Sequence, residues 1–180
     1  MRNRGKNRRS VRRRLVPADS FTRINLDLIY PPFLEKILDV IAACRDRGAI
    51  YVATHGFRTY GEQMELWSQG RTKPGKIVTN AKGGQSAHNF GLAIDFVRDM
   101  SPNPGVQPGW LKGDYDILAE EAEKAGLHSG KAYRDWPHVA WPGYVSTKDL
   151  AELGKAFKAA AGDSLTKLKA AWGRLPPTGP

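Results

Sequence analysis

The chain has 180 residues, 41% hydrophobic and 26% charged, with a formal net charge of +10 and a single cysteine. That length supports one domain with a core of its own. One cysteine excludes an internal disulfide framework, and no apolar run is long enough to read as a transmembrane segment.

The charge is unevenly placed. Residues 1–14 carry eight basic side chains (Arg2, Arg4, Lys6, Arg8, Arg9, Arg12, Arg13 and Arg14) and no acid, which leaves +2 for the rest of the chain. Residues 1–20 therefore read as a basic, flexible arm and residues 21–175 as the domain. No apolar stretch follows the charges, so the arm is not a secretory signal and a cytoplasmic product is expected. Such an arm is attracted to anionic envelope polymers, lipopolysaccharide or wall phosphates. Without aromatic residues between the arginines, nucleic acid is expected to bind it only nonspecifically and in a salt-sensitive way.

After Pro31 and Pro32, the spacing of Leu34, Ile37, Leu38, Ile41 and Ala42 predicts an amphipathic helix ending at Gly48, with Cys44 as a small buried residue on it. Residues 50–54 read as a strand that delivers His55, Gly56, Phe57 and Arg58 to a corner. Thr59 and Glu62 then form a capping box opening a helix that ends near Gly70. Residues 71–84 and 100–113, rich in glycine, proline and lysine, read as loops. Between them, Phe90, Leu92, Ile94 and Phe96 alternate with Gly91, Ala93 and Asp95, the pattern of a strand with one bulky face and one small face. His88 is out of phase with Asp95, so the chain must turn near Asn89 for both to reach one point. Tyr115, Leu118, Ala119, Ala122 and Ala125 predict a helix stopped by Gly126, and His138 to Trp141 a second short strand. Ser146 with Asp149, and then Asp163, cap two closing helices that carry Leu150, Leu153 and Phe157, and Leu165, Leu168 and Trp172. The fold class is α+β: a small antiparallel sheet flanked by helices.

Two strands of this kind can present His88, Asp95 and His138 to one cleft. Two imidazoles and one carboxylate suit zinc, one per chain, with a fourth position open to water, the pattern of a catalytic rather than a structural site. Asp135 stands three residues before the last of these, close enough to move a proton without ligating the metal. The arrangement points to a hydrolase. His55 and His128 lack such support and are expected at the surface or beside the ligands, and Trp136 and Trp141 are expected to pack as wall or core.

The run Ser86, Ala87, His88, Asn89, Phe90, Gly91, Leu92, Ala93, Ile94, Asp95, together with Asp135 and His138, resembles the signature of the zinc peptidases that include D-Ala-D-Ala carboxypeptidases and L-Ala-D-Glu endopeptidases. The segment His55 to Gln63, with Arg58 inside it, is similar to a third motif of that family. In place of the Trp-Gly-Gly-type segment typical of the endopeptidases, this chain has Leu127, His128, Ser129 and Gly130. The resemblance implies the fold shared by hedgehog and D-Ala-D-Ala peptidases and makes residues 21–175 the zinc peptidase domain. It implies zinc on His88, Asp95 and His138, and Asp135 as catalytic acid and base. It also implies that Arg58 stabilises the scissile carbonyl's charge and binds substrate, and that Ser86 helps to hold substrate. The expected function is cleavage of the peptidoglycan stem peptide between L-Ala and D-Glu by a phage or prophage endolysin that acts at the wall or periplasm after release. The alternatives are a D-alanyl-D-alanine carboxypeptidase on the same scaffold, or a non-catalytic, zinc-stabilised wall-binding or virion module.

Deleting residues 1–14 should leave folding and action on soluble peptides intact while weakening action on whole sacculi. Added salt should depress sacculus degradation more steeply for the full chain than for the truncation, because screening weakens the arm's attraction. Identical salt curves would show that the arm does not target the substrate.

Overall fold

A computed structural model describes residues 18–101, 106–144 and 147–176. The basic arm up to residue 17 and the proposed Ser146 cap lie outside the described residues. Packing begins at Ser20 and Phe21, both buried, with the Phe21 ring edge-on to Phe96 at 6.3 Å.

Among the described residues, five α-helices flank one sheet. Helix α1 (Pro31–Asp46) starts with Pro31 and Pro32 in its first turn, where proline's missing N–H costs nothing. Its buried stripe is Phe33, Ile37, Val40, Ile41 and Cys44, while Leu34 and Leu38 are only half-buried. The face is turned slightly from the one expected, because Phe33 and Val40 fill the core more completely than the two leucines. Cys44 is fully buried and its thiol is pushed up to about 12, chiefly by that burial and further by Glu121.

Strand β1 (Ile50–His55) leads through residues 56–59 into α2 (Tyr60–Ser68). The capping box at this junction is complete: Thr59 Oγ1 accepts from the Glu62 N–H at 3.2 Å, and Glu62 Oε2 accepts from the Thr59 N–H at 2.8 Å. Strand β2 (Ala93–Asp99) is the centre of the sheet, followed by β3 (Pro108–Gly109), α3 (Asp116–Lys124), β4 (His128–Ser129) and β5 (His138–Ala140). Helices α4 (Thr147–Ala159) and α5 (Ser164–Trp172) close the chain, and Asp163 caps α5 through its bond from the Thr166 N–H at 2.8 Å.

The sheet runs β1-β2-β5-β4, with every pair antiparallel. The free edge of β2 beyond β5 is taken by β3, which pairs with Arg98 and Asp99. Phe90, Leu92, Ile94 and Phe96 are all buried as expected, but Phe90 belongs to a one-turn 3₁₀ segment, Ala87–Phe90, and not to the strand. Among the described residues, no helix is long and apolar enough to cross a membrane.

Gly91 ends that 3₁₀ turn with φ +64°, a conformation that L side chains rarely adopt. A Cβ there would lie 2.1 Å from the Leu28 carbonyl oxygen, and the Gly91 carbonyl accepts the Tyr30 N–H at 3.0 Å. Gly91→Ala is therefore expected to destabilise the protein by roughly 2 kcal/mol or more, since strain and a backbone clash add at one position. Urea unfolding checks this, and a midpoint equal to that of the parent would refute it.

Candidate active site

The site is assembled where β2, β5 and the turn before β2 meet. Directly opposite residues in an antiparallel pair put their side chains on the same face, and the β2–β5 register sets Asp95 opposite His138. His138 Nδ1 lies 2.9 Å from Asp95 Oδ1. His88 arrives from the 3₁₀ turn that replaces the start of the strand, and this turn corrects its phase. Its Nε2 lies 3.3 Å from the same carboxylate oxygen. One nitrogen or oxygen from each of His88, Asp95 and His138 falls within 4.8 Å of the others, which makes the three a possible metal site.

The His88 ring is held in one sense. It is buried, and its Nδ1 donates to the Gly56 carbonyl at 2.8 Å, which turns Nε2 toward Asp95. Burial acts to raise the Asp95 carboxyl, but the two imidazoles outweigh it and hold it well below the usual carboxylate range. For His138 burial acts downward, yet the bond to Asp95 and its charge lift the imidazole above its ordinary value.

Arg58 and Asp135 flank the cluster. Arg58 Nη2 is 3.9 Å from Asp95 Oδ2, and Nη1 donates to Gln63 Oε1 at 2.9 Å. Asp135 is more open to solvent. Its carboxyl is raised, first by loss of water around it and then by the Asp95 charge, while His138, His88 and Arg58 oppose the rise. Ser86 is the N-cap of the 3₁₀ turn, two residues before His88, and its N–H donates to Asn89 Oδ1 at 3.3 Å.

The two remaining histidines stand apart. His55 lies opposite Asp95 on the β1 side, but the ladder is irregular between Ala53 and His55, and the side chain is exposed with Nδ1 3.2 Å from Thr54 Oγ1. Such a bulge re-aims a side chain. His128 is on β4, its ring 5.4 Å from that of Tyr133. Trp141 is core, edge-on to Tyr30 at 5.2 Å, and Trp136 is half-buried beneath the Lys112 ammonium at 5.2 Å.

Supporting residues complete the site that motif reading alone did not single out. Asn89 is fully buried and uses both ends of its amide. Nδ2 donates to the Arg58 carbonyl at 2.8 Å and the Thr59 carbonyl at 3.3 Å, while Oδ1 accepts from the Gly84 and Ser86 N–H groups. With the Arg58 N–H bonded to the His88 carbonyl at 3.0 Å, this fixes the arginine's corner to the histidine's turn. Gln63, also buried, holds Arg58 on one side and the Ala81 carbonyl on the other at 2.9 Å. Gly130 admits the loop that carries Asp135: a Cβ there would meet the Asp135 carbonyl oxygen at 1.9 Å and His138 Cβ at 2.9 Å.

A half-buried carboxylate between two imidazoles, with an arginine and a second carboxylate beside it, is equipment for hydrolysis, and the protein is a peptidase. Residues 28–130 match the VanY family, described as D-alanyl-D-alanine carboxypeptidase, and the chain belongs to that family. The match stops short of Asp135 and His138, so their inclusion here rests on geometry. The chain is 41% identical over 121 residues to the peptidoglycan L-alanyl-D-glutamate endopeptidase CwlK of Bacillus subtilis (strain 168), covering 60% of this chain and 71% of the relative. The crystal structure of the Serratia marcescens L-Ala D-Glu endopeptidase ChiX aligns with a TM-score of 0.43 at 18% identity, over 73% of this chain and 94% of that one.

Gly130→Ala should shift the backbone resonances of residues 135–138 and cost about 1–3 kcal/mol in stability, because the loop cannot close over a methyl group. Unmoved resonances there would show that the close approach does not shape the site.

Proposed function

We propose that this chain is a zinc-dependent peptidase that cuts the peptidoglycan stem peptide between L-alanine and D-glutamate. The observation that carries the reading is the Asp95-centred cluster with Arg58 against its outer oxygen. Its donor set fits zinc: ligands at about 2.0–2.2 Å in a tetrahedron stand roughly 3.3 Å apart, the separation of His88 Nε2 from Asp95 Oδ1. His88, Asp95 and His138 would hold the ion. The chemistry zinc supplies when bound is Lewis acidity, which makes a water nucleophilic near neutral pH and draws charge from a carbonyl.

The chain's own groups do the rest. Asp135, carrying no hydrogen bond that would tie its charge down among the described residues, accepts the proton of the attacking water and returns it to the leaving amine. Arg58, fixed by Gln63, directs guanidinium N–H groups at the carbonyl oxygen as charge builds there. Ser86 positions substrate from the rim of the His88 turn. The choice of bond follows the name of the Bacillus relative. Cleavage after D-alanine is the second reading, favoured by the description of the family itself. Action at the wall or periplasm after release, as a phage or prophage endolysin with the basic arm on anionic envelope polymers, completes the proposal.

The wild type should carry one zinc per chain, and Asp135→Ala should keep it while losing about 10²–10⁴-fold in turnover, as removal of a positioned acid and base does. His88→Ala and His138→Ala should lose the metal. Mass spectrometry of digested sacculi reads the bond: a new amino terminus at glutamate supports the endopeptidase, and released D-alanine supports the carboxypeptidase. Full zinc in both histidine variants would refute the ligand set.

A further inference from the structure

A cavity of about 410 Å³ opens beside Arg58, between the segment before α1, the end of β1 and the first turns of α2. It shares a wall with the active site: Gly56, whose carbonyl accepts from His88, lines it, as does Arg58 itself. A substrate whose scissile carbonyl reaches Arg58 therefore has room to extend into this space.

The charges lining the cavity are not equivalent. Glu62 is spent on the capping box, its Oε2 accepting from both the N–H and the hydroxyl of Thr59 at 2.8 Å. Glu65 is paired with Lys73. Arg58 is held by Gln63 and faces Asp95. Arg23 alone among the charged lining residues makes no hydrogen bond or ion pair with any described residue. Beside it, Asn25 uses its Oδ1 to accept the Asp27 N–H at 3.0 Å, which leaves its amide N–H₂ without a partner among the described residues. One uncommitted guanidinium and one uncommitted amide donor at a cavity wall form a receptor for an anion of carboxylate shape.

We propose that Arg23, with Asn25, is a specificity-determining residue that reads a free carboxylate on the substrate residue next to the scissile bond. The inference rests on the proposed endopeptidase function and deepens it. A glutamate joined through its nitrogen to alanine and through one carboxyl to the rest of the stem keeps its other carboxyl free. Conversion of that group to an amide removes the charge and puts N–H donors where acceptors are needed. The cavity then distinguishes stem peptides by the state of one group adjacent to the bond that is cut.

The test uses two soluble stem peptides that contain L-Ala-D-Glu and differ only in whether the free glutamate carboxyl is a carboxylate or an amide. The full-length zinc enzyme should prefer the carboxylate by about tenfold in kcat/KM, the scale of one charge-assisted hydrogen-bonded contact. In Arg23→Gln the preference should collapse to within about twofold of unity, mainly through KM on the carboxylate peptide. Arg23→Lys should keep part of it, and Arg23→Glu should reverse it. Thermal melts confirm that each variant is folded, as expected at an exposed position. A preference in Arg23→Gln equal to that of the wild type would overturn the assignment of Arg23 while leaving the proposed function intact. Failure of the wild type to cut either peptide, with release of D-alanine from sacculi, would overturn the function and this inference together.

Discussion

Asp95 and His138 meet because β2 and β5 are paired in one register and no other. Side chains alternate faces along a strand, so a slip by one residue would turn the imidazole into the layer now filled by Val139 and take it away from the carboxylate. The register is held from several directions. Ile94 and Val139 are paired and fully buried, the Phe96 N–H donates to the Pro137 carbonyl at 3.0 Å, and the Trp141 N–H donates to the Leu92 carbonyl at 2.8 Å. Burying apolar side chains stabilises by roughly 1.5–3 kcal/mol each, and here that energy is tied to a single alignment of polar groups on the opposite face.

His88 cannot be placed by the sheet, since it comes from outside the ladder. Its turn is fastened on three sides instead. Gly91 packs against the Leu28 carbonyl, Asn89 reaches the corner that carries Arg58, and the Trp172 indole N–H donates to the Phe90 carbonyl at 2.7 Å. The last of these gives the C-terminal helix α5 a part in the site although it supplies no functional side chain. A buried amide with all its hydrogen bonds made, as at Asn89, is expensive to disturb, because each orphaned partner carries its own desolvation cost. The precision of the first histidine is therefore stored in its neighbours.

Periodicity and punctuation made most of the elements legible in the sequence. The helix spacings, the Thr59–Glu62 box, the Asp163 cap and the stop at Gly126 are local signals, and each appears where local chemistry puts it. The cluster of His88, Asp95 and His138 was legible too, because a small-residue strand face and an out-of-phase histidine force a turn between them. The supports were less so. That Asn89 would bond the Arg58 and Thr59 carbonyls depends on a contact some thirty residues away, and nothing in the run around Gly130 announces that the Asp135 carbonyl fills the place of its missing side chain. The placement of Phe90 in a turn, against the alternation that assigned it to a strand, has the same origin: a buried aromatic satisfies either period, and the tertiary demand on His88 decided between them.

Cys44 lies on the buried face of α1 with no exposed surface and a thiol pushed up to about 12 by burial and by Glu121. It is the chain's one cysteine, and as an inaccessible thiol it does not compete for a soft metal. A metal held by the proposed ligands would meet nitrogen and oxygen donors only, and copper(I) or cadmium would gain no thiolate from Cys44 through which to displace it. A change from reducing to oxidising surroundings likewise leaves the donor set as it was. The same buried helix face that builds the core keeps the chain's one thiol away from oxidants in the solution around it.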